Sequence, residues 1–276
     1  MWLLCMHRKR KCYHRLVPPR IAIICSEHAV ERARRKSVSV NMDPRFAVKI
    51  FEFIVLLFAL SFHEAAHGWT ASRLGDQTAR MLGRVTLNPV KHIDPLGTII
   101  FPLITLFTPL FGGGGLLFGW AKPTPVTGRN FQNYQRDDML VTLAGPASNL
   151  LLAVGSFVVL LLMQKFAPLG RECLQGLLTG AINPELMSLA PVVFPLTLIF
   201  YFGITLNLVL AVFNLMPFPP LDGSHLFRHV ISGRFAAMYD NLGWIGFILA
   251  FIVGGWITMK IVSPILAVFL TLLLHG

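Results

Sequence analysis

His63-Glu64-Ala65-Ala66-His67 sets two imidazoles four residues apart with a carboxylate between them. On a helix, positions i and i+4 project about 40° apart, so both rings reach one ion, and Glu64 can take a proton from water held beside it. The spacing predicts a hydrolytic metal centre with His63 and His67 as ligands and Glu64 as base. These residues interrupt an apolar stretch running from Phe46 to about Ser72. An ionisable group inside a membrane helix costs on the order of 2.5–3.5 kcal/mol, so three together need a compensating partner. A metal supplies one.

Catalytic zinc usually takes three protein ligands and keeps a fourth place for water. The candidate third ligand is Asp222, in Asn214-Leu215-Met216-Pro217-Phe218-Pro219-Pro220-Leu221-Asp222-Gly223. Its prolines forbid a regular helix and predict an extended chain, and Asp222 is the only carboxylate between Glu185 and Asp240. Asp-Gly after prolines is otherwise an ordinary turn signal; depth beside the first span is what favours ligation. His225 and His229 imitate a ligand pair but read as a solvated or interfacial helix face. His92 either contacts substrate or braces its own loop beside Asp94. Gly145-Pro146-Ala147-Ser148-Asn149 allows close helix approach, with Asn149 able to hydrogen-bond across a bundle; packing is the favoured role.

The elements that position these residues are those of a membrane protein. The 276 residues are 54% hydrophobic and 13% charged, with mean hydropathy +0.64, outside the range of ordinary soluble domains. Each crossing needs roughly 20 apolar residues, which leaves no room for a large soluble domain beside the bundle. Spans are predicted at Phe46–Ser72, Met139–Lys165 and Leu189–Met216, with Leu242–Leu274 long enough for two tight crossings. Residues 96–120 carry Pro102, Pro109 and the run Gly112 to Gly115, which a lipid-facing helix tolerates poorly. The expected fold is therefore all-α and polytopic, a bundle of about five to six membrane segments. It includes a re-entrant hairpin at 96–120 and a short β element at Arg84-Val85-Thr86-Leu87 after the first span.

Charge orients the bundle. Loops 73–95 and 121–138 carry four and three Lys/Arg, whereas 166–188 carries only Arg171, so the first two are expected in the cytoplasm. The turn at 217–223 then shares a face with the end of the first span. Residues 1–41 hold ten Lys/Arg against Glu27 and Glu31, and this topology would place them outside. They resemble neither a signal peptide nor an anchor. The expected division is a basic leader at 1–41, either disordered or not translated, and one membrane domain at 42–276 beginning at Met42. A chain starting at Met42 should insert and act normally in expression and cleavage assays. Loss of insertion would make the leader a functional segment.

Across most of 50–225, the chain resembles the site-2 protease family of intramembrane metalloproteases. The resemblance rests on His63 to His67, Asn88-Pro89-Val90-Lys91-His92-Ile93-Asp94-Pro95, Gly145 to Asn149 and Asn214 to Gly223, in that order. It implies that Asp222 matches the third zinc ligand and that Asn214 matches an asparagine that binds substrate or the oxyanion. Ala65-Ala66-His67-Gly68-Trp69 with Leu74-Gly75-Asp76 looks like the compact branch, without PDZ or nucleotide-binding domains. The implied function is hydrolysis of peptide bonds in or near transmembrane segments, using one zinc ion per chain. The alternative is a metal-binding membrane protein without proteolysis, either a substrate-holding relative or a transporter. Expected partners are transmembrane protein substrates and the lipid bilayer, with no nucleic acid and an oligomeric state the residues do not reveal. The expected location is a prokaryotic inner membrane, active site towards the cytoplasm.

Overall fold

In the computed structural model, residues 44–107, 119–180 and 184–275 are described. The leader at 1–41, together with Pro109 and Gly112 to Gly115 in the expected hairpin, lies outside the described residues. Helix α1 (Pro44–Arg73) has 30 residues, which at about 1.5 Å each is ample for a bilayer. Phe46, Ile50, Ile54 and Phe58, four apart, are exposed along one stripe, while Val55, Leu56, Ala59 and Leu60 are buried. The first set faces lipid and the second faces protein.

The next loop holds the short α2 (Thr78–Met81) and a single turn at Pro89–Lys91. The expected strand at 84–87 is not formed; those residues bend, and no sheet exists among the described residues. A strand needs a neighbour to complete its ladder, and here the polar groups are spent otherwise. Thr86 gives its carbonyl to His92 Nε2 at 2.9 Å, and the buried Arg84 guanidinium turns inward onto the carbonyls of Lys91, Lys122 and Pro123.

Asp94 caps a wide turn at Pro95–Ile100, accepting from the amides of Leu96 and Gly97, and leads into α3 (Phe101–Phe107). The Trp120 amide donates to the Gly97 carbonyl at 3.2 Å, Thr98 Oγ1 to the Trp120 carbonyl at 2.7 Å, and the Lys122 amide to the His92 carbonyl at 2.9 Å. The chain that leaves this loop near residue 98 thus returns to it at 120, at the same end of the bundle.

Helix α4 (Tyr134–Phe166) starts at Asn133, whose side chain accepts from the Arg136 amide. Two short helices follow, α5 (Gly170–Leu178) and α6 (Pro184–Leu189), before α7 (Val193–Asn214). Of the spanning window of α7, 67% is buried, against 17% for the last span. A helix apolar on every face belongs in the interior, and α7 is the central post, packed on α1 and α4.

Beyond it come α8 (Asp222–Arg228), α9 (Gly233–Asp240) and α10 (Gly243–Leu249), which continues through a wide turn at Ala250–Gly254 into α11 (Gly255–His275). The two crossings expected in 242–274 are one span, Ile245–Leu274. A reversal needs a polar break, and neither candidate provides it: Lys260 lays its ammonium 4.0 Å from the Trp256 ring centre, and Pro264 sits within α11. Four described helices, Phe46–Arg73, Tyr134–Phe166, Val193–Asn214 and Ile245–Leu274, are long and apolar enough to cross a membrane, and Pro95–Ile104 is a shorter apolar helix. One apolar cluster joins α1 to α7, and a second joins α4, α7 and α11.

Candidate metal centre

His63 and His67 stand one turn apart on the buried side of α1. Each is oriented through Nδ1. His63 Nδ1 lies 2.6 Å from Asn149 Oδ1, and the Asn149 carboxamide donates from Nδ2 to Asn207 Oδ1 at 2.7 Å and to the Ala59 carbonyl at 3.3 Å. Asn207 in turn donates to the Gly203 carbonyl at 2.8 Å. That network fixes the Asn149 oxygen as an acceptor, so His63 carries its proton on Nδ1. His67 Nδ1 lies 2.7 Å from the Val141 carbonyl, which can only accept, so it is protonated there too.

Both Nε2 atoms are therefore lone pairs. They sit 3.0 Å apart, and Asp222 Oδ2 lies 3.0 Å from His63 Nε2 and 3.3 Å from His67 Nε2. Three such atoms facing one another away from solvent repel unless a cation lies among them. In a tetrahedral zinc site with bonds of about 2.0–2.1 Å, ligand atoms stand about 3.3 Å apart, close to the three separations observed. The donor set and its spacing fit zinc. Without metal, imidazole protons are the available positive charge.

Asp222 reaches this point through a compact turn in place of the expected extended chain. The Phe218 amide donates to the Met216 carbonyl and the Leu221 amide to the Phe218 carbonyl, both at 2.9 Å, and Asp222 opens α8. Gly223 is pressed against the Leu215 carbonyl, where a Cβ would overlap it. Gly145 of α4 is constrained from the other side: a Cβ there would overlap both imidazoles. Replacing Gly145 by Ala should push the rings apart and lower zinc content and activity together, whereas a change at the exposed Ala147 should do neither. Metal analysis of the purified variants decides it.

Glu64, half-buried, points to the extended segment that follows Trp120. Its Oε2 accepts the Thr124 amide at 2.6 Å, and Thr124 Oγ1 donates to the Glu64 carbonyl at 3.1 Å. Asn214 ends α7 with its carboxamide donating to the Leu210 carbonyl at 3.0 Å. The structure does not bring His92 into the cluster; it is buried in its loop, on the Thr86 carbonyl. His225 is exposed, and His229 lies 2.8 Å from Asp138 on α4. Among the described residues, His63, His67 and Asp222 form the group able to share an ion.

Residues 51–253 match the model of Peptidase family M50. The chain belongs to peptidase family M50. It is 36% identical over 212 residues to YwhC of Bacillus subtilis, whose name describes a zinc metalloprotease; the match covers 75% of this chain and 83% of that protein. Rip2 of Mycolicibacterium smegmatis, named in the same terms, is 29% identical over 189 residues, covering 66% of this chain and 59% of Rip2. No solved structure matches. Family and membrane-length helices together make this M50 peptidase an intramembrane zinc metalloprotease.

The sequence missed several groups that position the site of this peptidase: Asn207, the Val141 carbonyl and Thr124. Asn149 and Asn207 did leave a signal, since uncharged amides deep in apolar spans require partners. In the peptidase, Asn149→Ala should lower zinc affinity or activity by about 10–100-fold, because His63 loses the acceptor that fixes its tautomer. Zinc titration of the variant checks this, and unchanged affinity would show that α1 packing alone orients the ring.

Proposed function

We propose that this peptidase cleaves membrane-protein substrates within or beside their transmembrane segments, at a zinc ion held by His63, His67 and Asp222, with Glu64 as the base. The observation carrying this reading is the convergence of two imidazole nitrogens, from a helix long and apolar enough to cross a membrane, with the carboxylate oxygen of Asp222. A zinc ion held there would supply Lewis acidity towards a water molecule and the peptide carbonyl. The protein does the rest.

Glu64 takes the proton and returns it to the leaving amine. Asn149 and Val141 keep the ring protons at Nδ1, so Nε2 stays available throughout. Asp222 contributes the negative charge that two neutral imidazoles lack. In this reading Asn214, in the last turn of α7 before the Asp222 turn, binds the substrate backbone, while His92 shapes the loop through Thr86. A purely metal-holding role would need no base, and the Glu64 carboxylate has a dedicated donor in Thr124.

The end of α1, the loop with Arg80, Arg84 and Lys91, and the segment with Lys122 and Arg129 are hydrogen-bonded together. Their basic residues support a cytoplasmic active site at a prokaryotic inner membrane, with Gly97 and Thr98 hydrogen-bonded to Trp120 on that side. The test uses purified peptidase in liposomes with a single-pass substrate. Fragment masses should place the cut in or next to the apolar segment, and a zinc chelator should stop it until zinc is restored. Chelator-resistant cleavage, or cuts confined to distant soluble loops, would overturn the reading.

A further inference from the structure

We infer that Pro123-Thr124-Pro125 is the positioning element of the catalytic base, and that the Thr124 backbone N–H is the group holding Glu64 in its working orientation. The inference rests on the reading of Glu64 as base. A glutamate has three rotatable side-chain bonds, yet a general base must lie within about 2.6–3.2 Å of the proton it takes. Something has to select one rotamer, and loose support is enough to spoil a site.

The tripeptide suits that task. Proline has no N–H, so Thr124 carries the one backbone donor in Pro123-Thr124-Pro125, and that donor meets Glu64 Oε2 at 2.6 Å. A residue preceding proline is pushed towards extended conformations; Lys122 and Thr124 both precede one, and no helix forms across 119–127. With Oε2 engaged, the second carboxylate oxygen is left for the proton.

Two buried charges fix the strap, one on each side of Thr124. The Arg84 guanidinium donates to the carbonyls of Lys122 and Pro123 at 2.6 and 3.1 Å. On the other side, Asp76 Oδ2 accepts the Thr127 amide at 2.7 Å, and Oδ1 accepts Asn130 Nδ2 at 2.7 Å and the Thr78 amide at 3.1 Å. Asp76 is fully buried. Burial would raise its carboxyl, but the Thr127, Thr78 and Asn130 donors outweigh burial and hold it below its ordinary value. A depressed carboxyl stabilises the fold in full above its unfolded pKa, about 4, and loses that contribution as pH falls through the folded value. The strap is thus clamped throughout the neutral range. In the middle, Thr124 Cγ2 lies 3.2 Å from where Gly68 would carry a Cβ, so α1 admits the strap against its own backbone.

Thr124→Pro deletes the N–H within a segment that is already extended. We expect kcat to fall by about 100-fold or more, the scale of a lost general base, with KM and zinc content near wild type. Thr124→Ala keeps the N–H and should recover at least about tenfold of that loss. A wild-type or raised kcat for Thr124→Pro would overturn the inference. A second measurement is independent of turnover and of how well that variant folds. In the zinc-loaded protein, Glu64→Ala should speed hydrogen exchange at the Thr124 amide and leave the Thr127 amide, bonded to Asp76, unchanged. Equal Thr124 exchange in both proteins would also overturn it. Glu64→Gln, assayed in parallel, separates the two readings: an active Gln variant sinks the base assignment, whereas an inactive one with a fully active Thr124→Pro sinks the positioning role alone.

Discussion

Glu64→Gln is expected to abolish cleavage while zinc content stays at the wild-type level. Glutamine matches glutamate in shape and still offers an oxygen to the Thr124 amide, so the local packing survives. What it lacks is basicity. Loss of a general base costs about 10²–10⁴-fold in rate, and in the proposed mechanism the same group serves both proton transfers. The ligand geometry should be indifferent, because His63 is held by Asn149, His67 by the Val141 carbonyl, and neither contact involves Glu64. Metal analysis and a substrate-cleavage assay on one preparation read both outcomes. If zinc left together with activity, Glu64 would be holding the site together and would not be its base.

Asp222→Ala should remove zinc and activity together. The three converging atoms include one anion, Asp222 Oδ2, and without it two neutral imidazoles face the cation alone. Loss of a group that merely orients a ligand costs about 10–100-fold in metal affinity, and loss of the ligand itself should exceed that. His225→Ala and His229→Ala should leave zinc in place, since His225 is exposed and His229 is engaged with Asp138 on α4. Zinc stoichiometry after dialysis against a weak chelator distinguishes the three variants. Full zinc in Asp222→Ala would rule out the carboxylate as a ligand.

The chemistry was more legible in the sequence than its support. His63, Glu64 and His67 advertise themselves because charge in an apolar run is costly, and Asp222 stands out as a lone carboxylate in a proline-rich turn. The small residues of Gly145 to Asn149 were readable as close packing; that the space belongs to two imidazoles was not, because helical periodicity does not say what lies opposite. Arg84 to Leu87 has strand-forming residues, but strand formation depends on a partner, and Arg84 is instead committed to three carbonyls. The run 242–274 is long enough for two crossings by apolar count alone, and count does not register that Lys260 can rest on Trp256 without ending the helix. Thr124 was invisible for a simpler reason: its contribution is a backbone amide, which every residue but proline possesses.

The separation of the proposed ligands along the chain has a consequence for how the enzyme is made. His63 and His67 lie on the first span, α1, whereas Asp222 follows the buried α7 by a short turn. During synthesis the two imidazoles therefore enter the membrane long before their third partner exists. Until α7 has docked between α1 and α4, the nascent chain has neither a closed metal site nor the Asn207 end of the network that holds His63. On the proposed ligand set, the capacity to hydrolyse arises only once the chain has been made through Asp222 and that central helix has packed on α1 and α4.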